Sequence, residues 1–326
     1  MQQFRAESYP GLDICRLLAA FGIVGCHLAL DSMTPSAVWV KRFTDLNVGV
    51  FAMLSGFFMA KTLVGNPPIW DYLKKRLAHL YIPYLVWVFI FAISDVIFDT
   101  ISGKFDPSQR ANVHFWANAV LLGSNTTHLW FLVWLVYFSL LLAPLFRWCV
   151  CTSLRWMPLF LALGGGYLVA YCHHWGEFGC YPVRLLGFLL LGMVGYKCKY
   201  VLMIRGWVLG VILGVGICCQ GMGLRYGFLS ECLISIPMCL LGLNTHIKND
   251  VWVMRLRRLG MLSFGVYLVH PIFTTVMRVI VNGMKIEQTA FVFLLDQVIA
   301  FSASLVFAYT VSCLGRKFPI LRYIQA

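Results

Sequence analysis

The chain has 326 residues, of which 60% are hydrophobic and 12% charged, and its mean hydropathy is +0.79. A water-soluble fold of this length needs far more polar surface, so a soluble enzyme is excluded. The formal charge of +13 would suggest nucleic acid in a soluble protein. In so apolar a chain it is read instead as basic loops that orient membrane helices, and nucleic acid is excluded as a partner.

Apolar runs of membrane-spanning length recur along the whole sequence, and alternating strand patterns are absent. The expected fold is therefore all-α, a polytopic membrane protein with about ten transmembrane helices in a single domain, residues 1–326. Met1–Pro10 is polar and predicts no cleavable signal peptide. The spans are placed at 12–30, 46–64, 78–98, 129–148, 157–172, 181–197, 206–222, 228–243, 260–281 and 290–314. With Arg16 set aside as intramembrane, the N-terminus and even-numbered loops hold 17 Lys and Arg, against 8 in the odd loops. That asymmetry predicts that both termini are cytoplasmic.

Between these spans, NPPIWDYLKKRLAHLYIPYL reads as a helix lying in the cytoplasmic interface, with Lys74, Lys75 and Arg76 facing water or anionic headgroups. The outer loop at 99–128 predicts a short interfacial helix around Val113–Leu122, with Trp116 at headgroup level. Asn125-Thr126-Thr127 matches the N-glycosylation pattern, a weak signal that is read as incidental. The 12 cysteines are scattered and read as small apolar residues. Cys172 and Cys180 flank one outer loop and could pair in an oxidising compartment, with the unpaired reading favoured. His173, His174 and Glu177 lack helical i,i+4 spacing, and no metal site is expected.

Span 1 contains DICRLLAAFGIVGCH, an apolar helix that carries an acid, an arginine and a histidine. Arg16 and His27 are eleven residues apart, so they share one helix face about 16 Å apart along the axis. A histidine can act as a general base near neutral pH, and an arginine can hold an anion or a polarised carbonyl. The competing reading is a snorkelling Arg16 paired with Asp13, which could also cap the helix, and a His27 satisfied at the interface.

In span 2, Ser55-Gly56 interrupts an aromatic run, which either lets helices pack closely or opens space for a ligand beside span 1. His128, at the start of span 4, is either part of an aromatic belt or an acceptor-binding residue. In span 9, Tyr267 and His270 lie three residues apart, and Pro271 frees a backbone carbonyl. A polar group there must be paired or functional, and Asp296 in span 10 raises the same question.

These elements occur in a fixed order: Arg16 and His27 in span 1, the FAMLSGFFM run with Ser55-Gly56, KKRLAHLYIPY, HLWFLVWL and SFGVYLVHP. Together they resemble the acyltransferase-3 family of bacterial inner-membrane acyltransferases, which includes O-acetyltransferases of surface polysaccharides and enterobacterial common antigen. The resemblance covers nearly the whole chain. The departures are a VGVFAML run where many members have a denser phenylalanine cluster, unusually many cysteines, and no fused esterase-like domain after span 10.

The resemblance implies an acyl group, usually acetyl, taken from cytoplasmic acyl-CoA and delivered to a hydroxyl of a glycan or its lipid-linked precursor. It implies that Arg16 and His27 are the essential span-1 pair. Acyl-CoA is then a substrate rather than a permanently bound cofactor. On this expectation Lys74, Lys75 and Arg76, or Arg255, Arg257 and Arg258, hold its phosphates. Asp13, Ser55, Gly56, His128, Tyr267 and His270 line the substrate. The same architecture also resembles the membrane module of vancomycin-resistance serine racemases, which implies a solute path without acyl-CoA.

Overall fold

The computed structural model describes residues 9–28, 33–44, 47–101, 113–123, 128–151, 177–197, 205–221 and 228–318. Every regular element among them is helical, apart from one isolated parallel bridge between Met33 and Gln288. The helices are α1 (Pro10–Cys26), α2 (Pro35–Thr44), α3 (Asn47–Val64), α4 (Ile69–Arg76), a π-helical turn (Leu77–Tyr81), α5 (Ile82–Ile101), α6 (Val113–Leu122), α7 (Trp130–Cys151), α8 (Glu177–Lys197), α9 (Gly206–Gly221), α10 (Phe228–Asn244), α11 (Asp250–Gly283) and α12 (Ala290–Gly315).

Among the described residues four helices are long and apolar enough to cross a membrane: Ile69–Ile97, Trp130–Trp148, Asp250–Gly283 and Ala290–Gly315. Val48–Val64, Val113–Leu122, Gly206–Cys219 and Glu231–Asn244 are shorter apolar helices. The run expected at 157–172, His173, His174 and Cys172 lie outside the described residues, as does Asn125-Thr126-Thr127.

Several helix starts follow from their first residues. Thr34 precedes Pro35, and its Oγ1 accepts the Ala37 N–H at 3.3 Å, an N-cap followed by proline at the first helical position. Asn249 Oδ1 accepts the N–H groups of Val251 (2.9 Å) and Trp252 (3.2 Å) and so starts α11. Thr289 Oγ1 accepts the Val292 N–H at 3.3 Å and starts α12.

Three elements differ from expectation. α4 is not a separate interfacial helix, because the π-turn carries it without a break into α5. α11 begins at Asp250, so Arg255, Arg257 and Arg258 form exposed turns of that helix rather than a loop. α1 stops at Cys26, short of the expected end at residue 30.

The chain falls into two compact units. The first comprises Met1–Ala60 and Pro158–Tyr309. Its core is built from Ala20, Val24 and Leu28 of the α1 segment, Ala37 of α2, Leu262 and Val266 of α11, and Phe293 and Ala300 of α12. Contacts at both ends of α1 give the helix directions. Asp13 lies against Gly260, and His27 against His270, so α1 and α11 run parallel. α3 runs the other way, with Phe58 beside Arg16 and Phe51 beside Tyr267. α10 also opposes α1, with Gly242 against Gly11.

The second unit comprises Lys61–Met157 and Thr310–Ala326. In it the α6 helix forms where expected. The Tyr84 hydroxyl donates to the Ala119 carbonyl, the Tyr137 hydroxyl donates to the Leu121 carbonyl at 2.7 Å, and Trp116 stacks on Phe89 with centroids 6.0 Å apart.

Candidate active site

The face of α1 that carries Arg16 and His27 is held at two levels. At the N-terminal level Arg16 Nη1 donates to Asp13 Oδ1 at 3.4 Å. Its guanidinium also sits over the Phe58 ring, 4.2 Å from the centroid, where the ring quadrupole attracts a cation. Asp13 is buried. It is not the helix cap, because Tyr9 occupies that position without a side-chain bond. Gly260 of α11 makes room for it: a Cβ there would stand 2.8 Å from Asp13 Oδ1.

At the other level His27 closes α1, its N–H bonded to the Val24 carbonyl at 3.2 Å. The imidazole packs against His270 of α11 with ring centroids 5.0 Å apart. His270 is fully buried, and Tyr267 stands beside it at 6.0 Å. Tyr267 is itself buried and packs against Phe51 at 6.3 Å. His27 and His270, from distant parts of the sequence, thus form a pair of titratable groups, with Lys41 and Arg278 acting electrostatically on His27. Groups of this kind can exchange a proton with a reacting hydroxyl.

The end of α1 that presents His27 is braced by amides that the sequence reading did not single out. Gln297 Nε2 donates to the Phe21 carbonyl at 2.8 Å, passing so close to Gly25 that a Cβ there would stand 2.6 Å from it. Gln288 Nε2 donates to the Leu28 carbonyl at 3.2 Å. The Gln288 carbonyl accepts both the N–H and the Oγ1–H of Thr34, each at 3.1 Å. Asp296 shares this buried site as the partner of the Gln288 side chain. A buried polar residue near a span end is the only signal the sequence offers for these three.

Gly56 is at a helix crossing: a Cβ there would stand 1.9 Å from the Leu189 carbonyl oxygen of α8, and one on Gly192 would stand 1.9 Å from that of Met53. Ser55 beside it is half-buried. In the second unit His128 is buried and edge-on to Phe91 at 4.9 Å. There Lys74 and Lys75 are exposed, and Arg76 Nε donates to Ser139 Oγ at 3.4 Å. Among the described residues no group of three His, Cys, Asp or Glu could hold a metal ion.

Neither the curated proteins nor the solved structures compared with this sequence gave a match. The family model described as an acyltransferase domain matches residues 9–314, a stretch that includes Asp13, Arg16, His27, Tyr267 and His270. A match over nearly the full length, with the histidine pair and the arginine inside it, means that the chain belongs to the acyltransferase 3 family.

Proposed function

We propose that the protein is a multi-pass O-acyltransferase of the bacterial inner membrane, with about ten spans and both termini cytoplasmic. It moves an acyl group, by default acetyl, from cytoplasmic acyl-CoA to a hydroxyl of a cell-surface glycan or its lipid-linked precursor. The observation that carries this reading is the contact between His27 and His270 on the helix face that also presents Arg16. The parallel course of α1 and α11, opposed by α3 and α10, agrees with the parity of a ten-span count. The excess of basic residues in the even loops supports the orientation.

In this reaction the acceptor oxygen attacks the thioester carbonyl and His27 takes the hydroxyl proton. The carbon–sulfur bond breaks, and the CoA thiolate leaves and is reprotonated. Arg16 lies about 16 Å from His27 along α1, so its part is to hold the carrier arm rather than the oxyanion. Lys74, Lys75 and Arg76, or the run Arg255, Arg257 and Arg258, hold the donor phosphates by charge-assisted hydrogen bonds.

The test is His27→Ala in purified chain given acetyl-CoA and an isolated surface glycan. Glycan acylation is expected to fall by roughly 10²–10⁴, the usual contribution of a general base, while acetyl-CoA still binds. Undiminished acylation by the variant sinks the assignment of the base. No binding of acetyl-CoA at millimolar concentration by the unsubstituted chain sinks the transferase reading and favours a solute path.

A further inference from the structure

His270 immediately precedes Pro271 inside α11. In a regular helix the N–H of residue 271 would donate to the carbonyl of residue 267. Proline has no N–H, and its ring presses that carbonyl aside. The Tyr267 carbonyl is therefore released in a segment where the residues around it, from Leu262 to His270, are almost all buried. There an unsatisfied carbonyl is costly. His270 Nδ1 lies 2.7 Å from that oxygen. A carbonyl only accepts, so Nδ1 carries the hydrogen, and in the neutral ring the lone pair belongs to Nε2. His270 has no solvent exposure, so water does not compete for either nitrogen. The same ring packs against His27.

We propose that Pro271 is a positioning residue for the acyl transfer: it locks His270 as the Nδ1–H tautomer, leaving a proton-accepting nitrogen in the ring that faces His27. This inference rests on the reading of His27 as the base. When His27 takes the acceptor's proton it becomes an imidazolium. A neighbouring ring that offers a lone pair stabilises that cation, whereas one that offers a second N–H opposes it. The proton stays on His27 until the CoA thiolate or solvent takes it, and His270 changes neither its charge nor its hydrogen.

The experiment uses the full chain in lipid nanodiscs with ¹⁵N-labelled histidine. The His270 signals are assigned by their loss in His270→Gln. The side-chain nitrogen shifts of the unsubstituted protein are expected to show a protonated Nδ1 and a bare Nε2 on His270. In Pro271→Ala the backbone N–H returns to the Tyr267 carbonyl. Part of the His270 population is then expected to move to Nε2–H, and kcat to fall about tenfold with little change in KM for the acceptor, the order of one hydrogen bond. An Nε2–H tautomer in the unsubstituted protein overturns the proposal, even where Pro271→Ala does not fold. So does a folded variant in which tautomer and kcat do not both change. The tautomer is read without turnover. Full acylation by His27→Ala therefore defeats the assignment of the base and leaves the lock standing.

Discussion

At the residue scale, the position of His27 depends on how the last turn of α1 is held. Gln297 reaches the Phe21 carbonyl only because Gly25 has no side chain. Gly25→Ala should push the amide off that carbonyl, at a cost of about 1 kcal/mol for the bond. The displacement of His27 should lower kcat further, since ångström-scale misplacement in an active site costs up to about 10² in rate. Gln297→Ala should give a similar loss by removing the donor itself. A Cβ on Gly25 would also stand 2.8 Å from Thr44 Cγ2, so the double variant should be worse than Gln297→Ala by that clash but fall short of the summed single losses, because residues that share one contact are not additive. Independent, additive losses measured as kcat in a double-mutant cycle would mean that the two residues do not act through the same bond. The sequence shows part of this arrangement. The pairing of Asp13 with Arg16 follows from i,i+3 spacing, and the carbonyl released by Pro271 follows from the missing N–H. Gln288 and Gln297 carry no such mark, because a lone amide, in the connector before α12 or in the apolar α12 helix itself, looks the same whether it braces a neighbour or not.

At the element scale, hydropathy and length locate several helices closely, since α3, α6, α9, α10 and α12 begin and end within about two residues of the expected edges. α2 is polar enough to hide from a hydropathy window, and only its Thr34-Pro35 start marks it. Continuity through the π-turn is equally invisible, because the turn leaves composition unchanged. Which small residues form crossings is a property of pairs of helices and cannot be read from one helix alone. Gly56 and Gly192 show this: each lies against the other helix's backbone carbonyl, so α3 and α8 approach to main-chain distance. Close backbone packing of this kind is a main source of helix association in lipid. Gly56→Val should force α3 and α8 apart and cost roughly 1–3 kcal/mol by overpacking, read as a lower thermal midpoint in detergent. Ser55→Ala should leave that midpoint near the parent value. Equal midpoints for Gly56→Val and the parent would remove the crossing from the account.

At the scale of the whole molecule, the proposed acyl-CoA donor needs a place for its phosphates, and the two basic clusters lie in different units. Lys74 and Lys75 are exposed on α4 of the second unit, and their neighbour Arg76 is engaged with Ser139. Arg255, Arg257 and Arg258 are exposed on the first turns of α11 in the first unit, with Arg255 over the Trp252 ring at 5.2 Å. Arg257 acts electrostatically on Asp13, the partner of Arg16. From Arg257 to His270 is thirteen residues of one helix, about 20 Å, on the order of the reach of an extended pantetheine arm. Phosphates at this turn would thus start the arm on the same helix that carries His270 of the histidine pair. Arg255→Gln with Arg258→Gln leaves Arg257 in place beside Asp13. That variant should raise KM for acetyl-CoA between about threefold and tenfold, a modest loss because exposed charges are screened. Its kcat should stay near the parent value, since the interaction is the same in ground and transition states. The increase should shrink as salt is added. Lys74→Gln with Lys75→Gln should leave KM within about twofold, the effect expected of charges that only face headgroups. If the lysine pair instead carries the salt-dependent rise in KM, the donor docks on the second unit, and the α11 arginines are left as basic residues that orient the helix in the membrane.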